Sequence, residues 1–412
     1  MKQELIQKQK LPEGWKINPF IEILILNDGG TWGKDGNAEN GIAVLRSTNF
    51  NKNMTLNFED IAYRKIDKGK ILKKKLQFED ILLERSGGGP KQPVGRVVLF
   101  NKTEGTYLFG NFLQRLRVNK EIALPKYIFY QLYFKYLNGE TESLQNNTTN
   151  LRNLRYDEFI VLPILLPPLQ IQQQIVAKLD KQMAQVEVMK KEAEKEKETS
   201  EAYYESFTNN LIINSKYGTP FKISNVCKED KKQIIATSEE ARKRTYIGME
   251  DVSSNSGIIT INHSNQGEKI LSNAFQFDNR HVLYGKLRPY LNKVALPSFP
   301  GRCSTELIPL LPKENCKREF LGLLLRTEKV IHAAMKNKTG SRMPRADIGE
   351  IMNVEFNLPS LEEQEKIINQ FINFSKNYQI LKDYENKILE AISLLPSSIL
   401  NEVFGKYEIP DS

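Results

Sequence analysis

The sequence predicts an α+β protein in which two mixed α/β globular domains are separated by two long antiparallel coiled-coil helices, as a pseudo-twofold internal repeat. Three observations carry that prediction. Leu166-Pro167-Pro168-Leu169-Gln170-Ile171-Gln172-Gln173-Gln174-Ile175-Val176 returns 192 residues later as Leu358-Pro359-Ser360-Leu361-Glu362-Glu363-Gln364-Glu365-Lys366-Ile367-Ile368. Each copy ends an apolar, proline-marked segment and opens a long run with helical periodicity. The net positive charge lies only in the segments outside these runs. A self-similarity at one fixed offset means one structural unit used twice. The expected boundaries are a first domain over 1–165, a first spacer helix over 166–216, a second domain over 217–357 and a second spacer helix over 358–412.

In the first domain Leu11-Pro12-Glu13-Gly14-Trp15-Lys16 reads as a turn that delivers a tryptophan to the start of the fold. Short apolar runs broken by Gly and Asn then predict strands at Phe20 to Leu26, Ile42 to Arg46, Asp80 to Glu84, Val94 to Phe100 and Phe112 to Val118. A helix is expected at Lys126 to Tyr136. The second domain repeats the order, with strands at Tyr246 to Glu250, His281 to Tyr284, Asn292 to Leu296 and Thr305 to Leu311, then a helix from Arg318 to Lys336. Its Pro220-Phe221-Lys222-Ile223 stretch stands where the first domain has Trp15. Both sheets should be mostly antiparallel.

The helices have local causes. Pro167 and Pro168 suit a first helical turn and discourage helix before it. Ser360 is a good N-cap, and Glu363 three residues on would complete a capping box. Ile367, Phe371, Phe374, Tyr378, Leu381, Glu385, Ile388, Ile392, Leu395 and Ile399 then fall at alternating steps of four and three, a heptad seam. The first helix repeats the register at Ile175, Leu179, Gln182, Val186, Met189, Ala193, Glu196, Ser200, Tyr203 and Phe207, with a wetter centre. A heptad stripe on a single helix reads equally as the core face of an ordinary bundle. Two such helices, each roughly 66 Å long at about 1.5 Å per residue, are too long for one domain to cover and should pack on each other. Pro396 should end or kink the second near Leu395, and Tyr217-Gly218-Thr219-Pro220 should end the first. Lys190 to Glu198 (KKEAEKEKE) reads as a solvated helix face.

Residues 1–169 hold 25 Lys and Arg against 18 Asp and Glu, and 217–357 hold 22 against 15, a net +7 in each. The helical segments are net acidic, at −1 over 170–216 and −4 over 358–412. Charge placed for general solubility would be spread evenly, so both domains should face a polyanion, with nucleic acid the first candidate. Cys227, Cys303 and Cys316 lie at irregular spacing and form no disulfide framework or metal pair. The opening Met1-Lys2-Gln3-Glu4 lacks an apolar signal core and no run approaches a membrane span, so no membrane association and a cytoplasmic location are expected.

Catalytic signatures are missing. Gly87-Gly88-Gly89-Pro90-Lys91 lacks the spacing and the hydroxyl of a phosphate loop. Asn18-Pro19-Phe20 resembles the Asn-Pro-Pro-Phe with which adenine methyltransferases grip a flipped base, but it lacks one proline and reads as structural. His263, His281 and His332 stand at no metal-ligand or nucleophile-base spacing. Neither Glu59-Asp60 nor Glu79-Asp80 is followed by the arrangement of a nuclease site. No catalytic residue, metal or cofactor is expected.

The candidate contacts are polar, glycine-rich loops with positive charge. In the first domain they are Arg85 to Gln92, with Arg85, Lys91 and Gln92, and Asn146 to Arg152, with Asn150 and Arg152. In the second they are Gly285 to Tyr290, with Lys286, Arg288 and Tyr290, and Lys338 to Arg345, with Lys338, Ser341, Arg342 and Arg345. Glycine lets the backbone approach a phosphate, and Arg, Asn and Gln suit bidentate contacts to base edges. Any one loop also reads as a solvated turn with incidental charge; recurrence at equivalent places in both halves favours contact.

The Leu-Pro-Glu-Gly-Trp opening at 11–15, the doubled Leu-Pro-x-Leu-x-x-Gln helix start at 166–172 and 358–364, and the alternation of domain and helix resemble the specificity subunit of type I restriction-modification systems. The resemblance covers essentially the whole chain. It implies two target recognition domains, each reading one half of a split site in double-stranded DNA. It further implies helices that set the spacing and dock two methyltransferase subunits, with Ile175, Leu179, Val186, Ile367, Phe371, Leu381 and Ile388 on those helices, and motor-nuclease subunits joining the assembly. The alternative from another class is a coiled-coil adaptor whose basic domains bind acidic protein or RNA partners.

Overall fold

A computed structural model describes residues 10–89, 92–148, 151–213, 218–235, 238–261, 273–336 and 344–407. The chain divides into two compact units, Met1–Ala193 with Ile388–Ser412, and Glu194–Lys387. Each long helix therefore contributes to both.

In the first unit the main sheet sets Leu24–Gly29, Leu113–Val118, Ile81–Glu84 and Val97–Leu99 side by side. In the second, Cys227–Glu229, Leu307–Pro312, Val282–Gly285 and Val294–Ala295 take the same order. Every pairing in these two sheets is antiparallel. One face of the first sheet, with Ile81, Leu83 and Leu116, packs in a core with the helix Pro125–Leu137. The other face, with Leu82 and Leu113, packs on Leu45 and Phe109 of a second, smaller sheet. The internal repeat is thus a repeat of topology, as the doubled motif predicts.

The smaller sheets diverge. Both contain a parallel pair, Ile42–Leu45 with Tyr107–Phe109 in the first unit and Thr245–Ile247 with Gly301–Ser304 in the second. The strand between them in the chain joins opposite members of that pair. Ala62–Lys65 pairs with the earlier strand, whereas Ala274–Phe277 pairs with the later one.

The start of each long helix explains the doubled motif. Gln172 and Gln364 are fully buried at equivalent positions. Gln172 accepts from the Leu124 N–H at 2.8 Å and donates to the carbonyls of Pro167 at 2.9 Å and Ile122 at 3.3 Å. Gln364 accepts from Lys317 N–H at 2.8 Å and donates to Pro359 and Asn315 carbonyls, both at 3.0 Å. One side chain in each copy thereby satisfies three backbone groups and fastens the long helix to the loop that opens the domain's own helix, Pro125–Leu137 or Arg318–Leu325. Lys16–Pro19 pairs with Pro163–Leu166, and Thr219–Lys222 with Glu355–Leu358, closing each domain where its helix departs.

The first long helix runs from Leu169 to Ile213 and the second from Leu361 to Phe404. In the second unit Lys197 bonds Asn386 at 3.1 Å, Tyr204 meets Ser375 at 3.1 Å, and the rings of Phe207 and Phe374 lie 3.8 Å apart. Partner numbers rise as helix numbers fall, so the pair is antiparallel. In the first unit Lys178 reaches Glu402 at 2.8 Å, and Leu179, Leu400, Val403 and Phe404 share the core.

Several sequence expectations are corrected. Pro396 lies inside the second helix, which continues to Phe404. Burial of Leu400, Val403 and Phe404 offsets the hydrogen bond that proline removes. Ser360 Oγ caps the Glu363 N–H at 3.2 Å, but the Glu363 carboxylate accepts from Lys366 at 3.0 Å rather than completing a capping box. In the seam, Ile367 is buried and Phe371 half-buried, while Leu381 is 46 % exposed and Ile388 49 %. In this stretch the first helix presents the polar Lys197 and Ser200, which bond Asn386 and Tyr378. Tyr203 is 63 % exposed, and its neighbour Tyr204 takes the inner place, stacked 4.2 Å from Tyr378. A straight helix drifts from a strict heptad by about 20° per repeat, enough to move the inner position by one residue. The segment Phe20–Ile23 is a 3₁₀ turn before its strand, and Arg318–Lys336 breaks into Arg318–Leu325 and Glu328–Ala334. There Arg326 donates to the carbonyls of Val294 and Ser256.

Candidate nucleic-acid interface

The two loops named in each domain come together. In the first unit Ser86–Gly88 pairs antiparallel with Leu151–Leu154, which pairs in turn with Gln145–Thr148. In the second, Leu287 bridges Arg345 and the Arg288 N–H donates to the Pro344 carbonyl at 2.8 Å. Loops more than 50 residues apart in sequence thus form one edge in each domain.

Arg85 and Lys286 lead these edges in the same backbone frame. The Arg85 N–H donates to Phe112 O at 2.8 Å, and its carbonyl accepts from Leu154 N–H at 2.8 Å. The Lys286 N–H donates to Glu306 O at 2.9 Å, and its carbonyl accepts from Ala346 N–H at 2.7 Å. Each cation follows the last residue of the same main-sheet strand, Glu84 or Gly285.

The side chains differ. The Arg85 guanidinium lies 4.5 Å over the Tyr156 ring and donates to Gln114 Oε1 at 3.0 Å. Gln114 donates to Asn27 at 2.9 Å, and Tyr156 OH donates to the same oxygen at 2.7 Å. Burial pushes the Tyr156 hydroxyl up to about 12, so it stays a donor at neutral pH. Arg152 is half-buried and donates to Glu142 at 3.0 Å. Gln92 is exposed beside the bridge to Gly89; with its amide oxygen turned inward it accepts from the Arg96 guanidinium at 2.7 Å. In the second unit Glu306 gathers two of the named cations, Arg345 at 3.1 Å and Lys286 at 3.8 Å. Arg288 sits at the left-handed φ of 52°, its buried Nε without a hydrogen-bond partner, and Tyr290 projects 52 % exposed from the adjacent turn. Lys91, Asn150, Lys338, Ser341 and Arg342 lie outside the described residues.

Sequence reading passed over a further basic element. The helix Lys68–Lys74, extended by Lys75, exposes Lys68, Lys70, Lys73 and Lys75, and no described carboxylate pairs with them. Lys74 anchors it on Asp28 Oδ2 and the Gly29 carbonyl, both at 2.7 Å. Gly29 is the cross-strand partner of Gln114, the residue that holds Arg85, so the lysine helix flanks the same sheet end. Beside it a cavity of about 380 Å³ is lined by Lys73, Lys75, Lys102, Arg115 and Arg117. The five lysines within eight residues were the available signal.

Among the described residues no group of three or more His, Cys, Asp or Glu could hold a metal ion, and no helix is long and apolar enough to cross a membrane. Cys227, Cys303 and Cys316 are buried free thiols, and burial pushes Cys227 and Cys316 up to about 12. Asn18 donates to Glu22 at 2.9 Å and Phe20 is buried in the core, the structural role expected of that motif. His281 is fixed between Asp278 at 2.9 Å and Asp230 at 3.2 Å.

The family model for the type I restriction modification DNA specificity domain matches residues 12–197 and 216–390. The chain belongs to this family. Similar proteins include the type I restriction enzyme EcoDI specificity subunit of Escherichia coli, 24 % identical over 135 residues, which are 33 % of this chain and 30 % of that relative. The StySPI specificity subunit of Salmonella potsdam is 27 % identical over 190 residues, 45 % of this chain and 40 % of the relative. Those matches span less than half the length of the curated relatives. Among solved structures, a chain from a study of complex assembly and conformational transition of the type I R-M system superposes with TM-score 0.70 at 15 % identity, covering 97 % of this chain and 100 % of the other. The HsdS subunit from Thermoanaerobacter tengcongensis gives TM-score 0.54 at 15 % identity, covering 97 % and 98 %. The fold of this DNA specificity domain family is therefore shared along nearly the whole chain.

Proposed function

We propose that this chain is the sequence-reading, non-catalytic subunit of a type I restriction-modification complex. Each domain reads one half of a bipartite site in double-stranded DNA. The observation that carries the proposal is the repeated frame of Arg85 and Lys286: a cation at the end of the same strand, leading two paired loops, in each of two net-basic domains. Arginine and lysine in such loops suit phosphate and guanine contacts, and the loops differ enough in content for two different half-sites. The domain limits proposed are 1–165 and 217–357, with the helices over 166–216 and 358–412 setting the gap between half-sites.

The long helices supply a docking surface for two methyltransferase subunits, with motor-nuclease subunits completing the assembly. Leu381, Ile372, Ile380 and Tyr384 are exposed on the second helix, and exposed apolar groups that lie close together mark partner surfaces.

The test is sequencing of methylated DNA from cells that express this chain with a type I methyltransferase partner. The expected result is one adenine-methylated motif with two defined halves and a fixed gap. Its absence, with the same methyltransferase active alongside another specificity chain, overturns the proposal. Removing two heptads from both helices should shorten the gap; an unchanged gap would refute the spacing role.

A further inference from the structure

The residue that receives the backbone hydrogen bond of each leading cation is chemically opposite in the two units. Phe112 stands immediately before the strand Leu113–Val118, and Glu306 immediately before Leu307–Pro312. Their carbonyls accept from Arg85 and Lys286 in the same way. The backbone at this corner is therefore one design, and only the side chain is free to vary.

Phe112 is 57 % exposed although it borders the core. Its ring rests against Gly87, where φ is +98° and any Cβ would lie 3.3 Å from the ring. A half-exposed ring seated on a glycine beside Arg85 gains little from burial. It presents an apolar edge at the rim of the basic loops, which matches the 5-methyl group of thymine in a major groove. Glu306 is largely covered, and its carboxylate holds Arg345 and Lys286 at 3.1 and 3.8 Å. A carboxylate already shared by two cations is a poor acceptor for a base. It fixes the direction of Arg345 by hydrogen bonds and holds Lys286 by charge alone.

Resting on the function proposed above, we infer that this corner is a specificity-determining position in both domains. Phe112 acts by direct apolar contact with a base edge. Glu306 is a positioning residue, acting through Lys286 and Arg345. The charge signs separate this from a purely structural role. Replacing Glu306 by glutamine releases two cations and removes one negative charge, so affinity for DNA of any sequence rises while discrimination in the second half-site falls. A residue that merely held the loop would lose affinity on substitution.

The experiment compares methylated motifs, and DNA binding as a function of salt, for the full chain assembled with its methyltransferase as wild type, Phe112→Ala, Phe112→Leu and Glu306→Gln. Phe112→Ala should relax one base in one half by roughly tenfold, within the usual range for a base contact, and leave the other half intact. Phe112→Leu, which keeps apolar bulk, should retain most of that preference and covers the case in which the alanine variant folds poorly. Glu306→Gln should relax only the other half and steepen the salt dependence of non-specific binding. A wild-type motif that survives both Phe112→Ala and Glu306→Gln unchanged, or loses both halves together, overturns this assignment alone. A wild-type complex with no bipartite motif overturns the functional proposal beneath it, and the assignment with it.

Discussion

The two units share the order of their main sheets down to the backbone bonds of one corner, yet differ in their smaller sheets and in the side chains around each leading cation. Core strands leave little choice: Ile81, Leu82 and Leu83, like Val282 and Leu283, are buried on both faces and fix the strand where it is. The edge built on top carries no such constraint. Arg85 stacks on Tyr156 in one unit, while Lys286 and Arg345 share Glu306 in the other. Two solutions on one scaffold are what two readers of different half-sites require.

The largest expected effect separates two buried arginines. Arg96 in the first unit makes a two-pronged ion pair with the buried Glu84, at 2.7 and 2.9 Å. Arg96→Met leaves that carboxylate buried and unpaired and should cost about 3–5 kcal/mol. Arg302 in the second unit is fully buried, with Nε and Nη1 lacking hydrogen-bond partners. Arg302→Met gives up a contact with the Tyr246 ring, 5.4 Å from the guanidinium, and no ion pair, so it should cost much less. Chemical denaturation of both variants decides the point, and equal losses would show that the two arginines are held alike.

The next effect sharpens what the units share. Gln172→Ala and Gln364→Ala each strip a buried N–H and two carbonyls of their partner, at about 1–3 kcal/mol for each orphaned group. Hydrogen exchange should show the weakening confined to the unit whose clamp is removed, around Leu124 in one case and Lys317 in the other. Loss spread over both units would mean that the clamps do not act locally.

The smallest effect concerns an element that, among the described residues, only one unit has. Between its strands the second unit has just Asp278–His281 where the first inserts the lysine helix. Changing Lys70, Lys73 and Lys75 to glutamine should lower the salt slope of DNA binding by roughly one unit for each phosphate contact removed, without altering the motif. An unchanged slope would make these lysines ordinary surface charge.

Much of this was legible in the chain. The repeat, both helix starts and the four basic loops depend on local signals: proline, glycine, the N-capping Ser360 and periodic apolar residues. Phe112 and Glu306 were hidden because each adjoins an apolar run and reads as part of the start of a strand, Phe112 to Val118 or Thr305 to Leu311. The role of the motif glutamines was equally hidden, since their partners Leu124 and Lys317 lie almost 50 residues away. The heptad register failed where Leu381 met polar neighbours and where helix drift put Tyr204, not Tyr203, on the inside.

Two like domains, two long helices and a net positive charge confined to the domains could be read from the chain alone. These follow from repetition, periodicity and composition, which need no knowledge of what touches what. Which loops pair, which strand of each smaller sheet joins which partner, and which side chain stands at the corner beside each leading cation emerge only from the folded chain. Those outcomes are fixed by contacts between distant parts of the chain, where a strand or loop takes whichever neighbour the buried core presents to it.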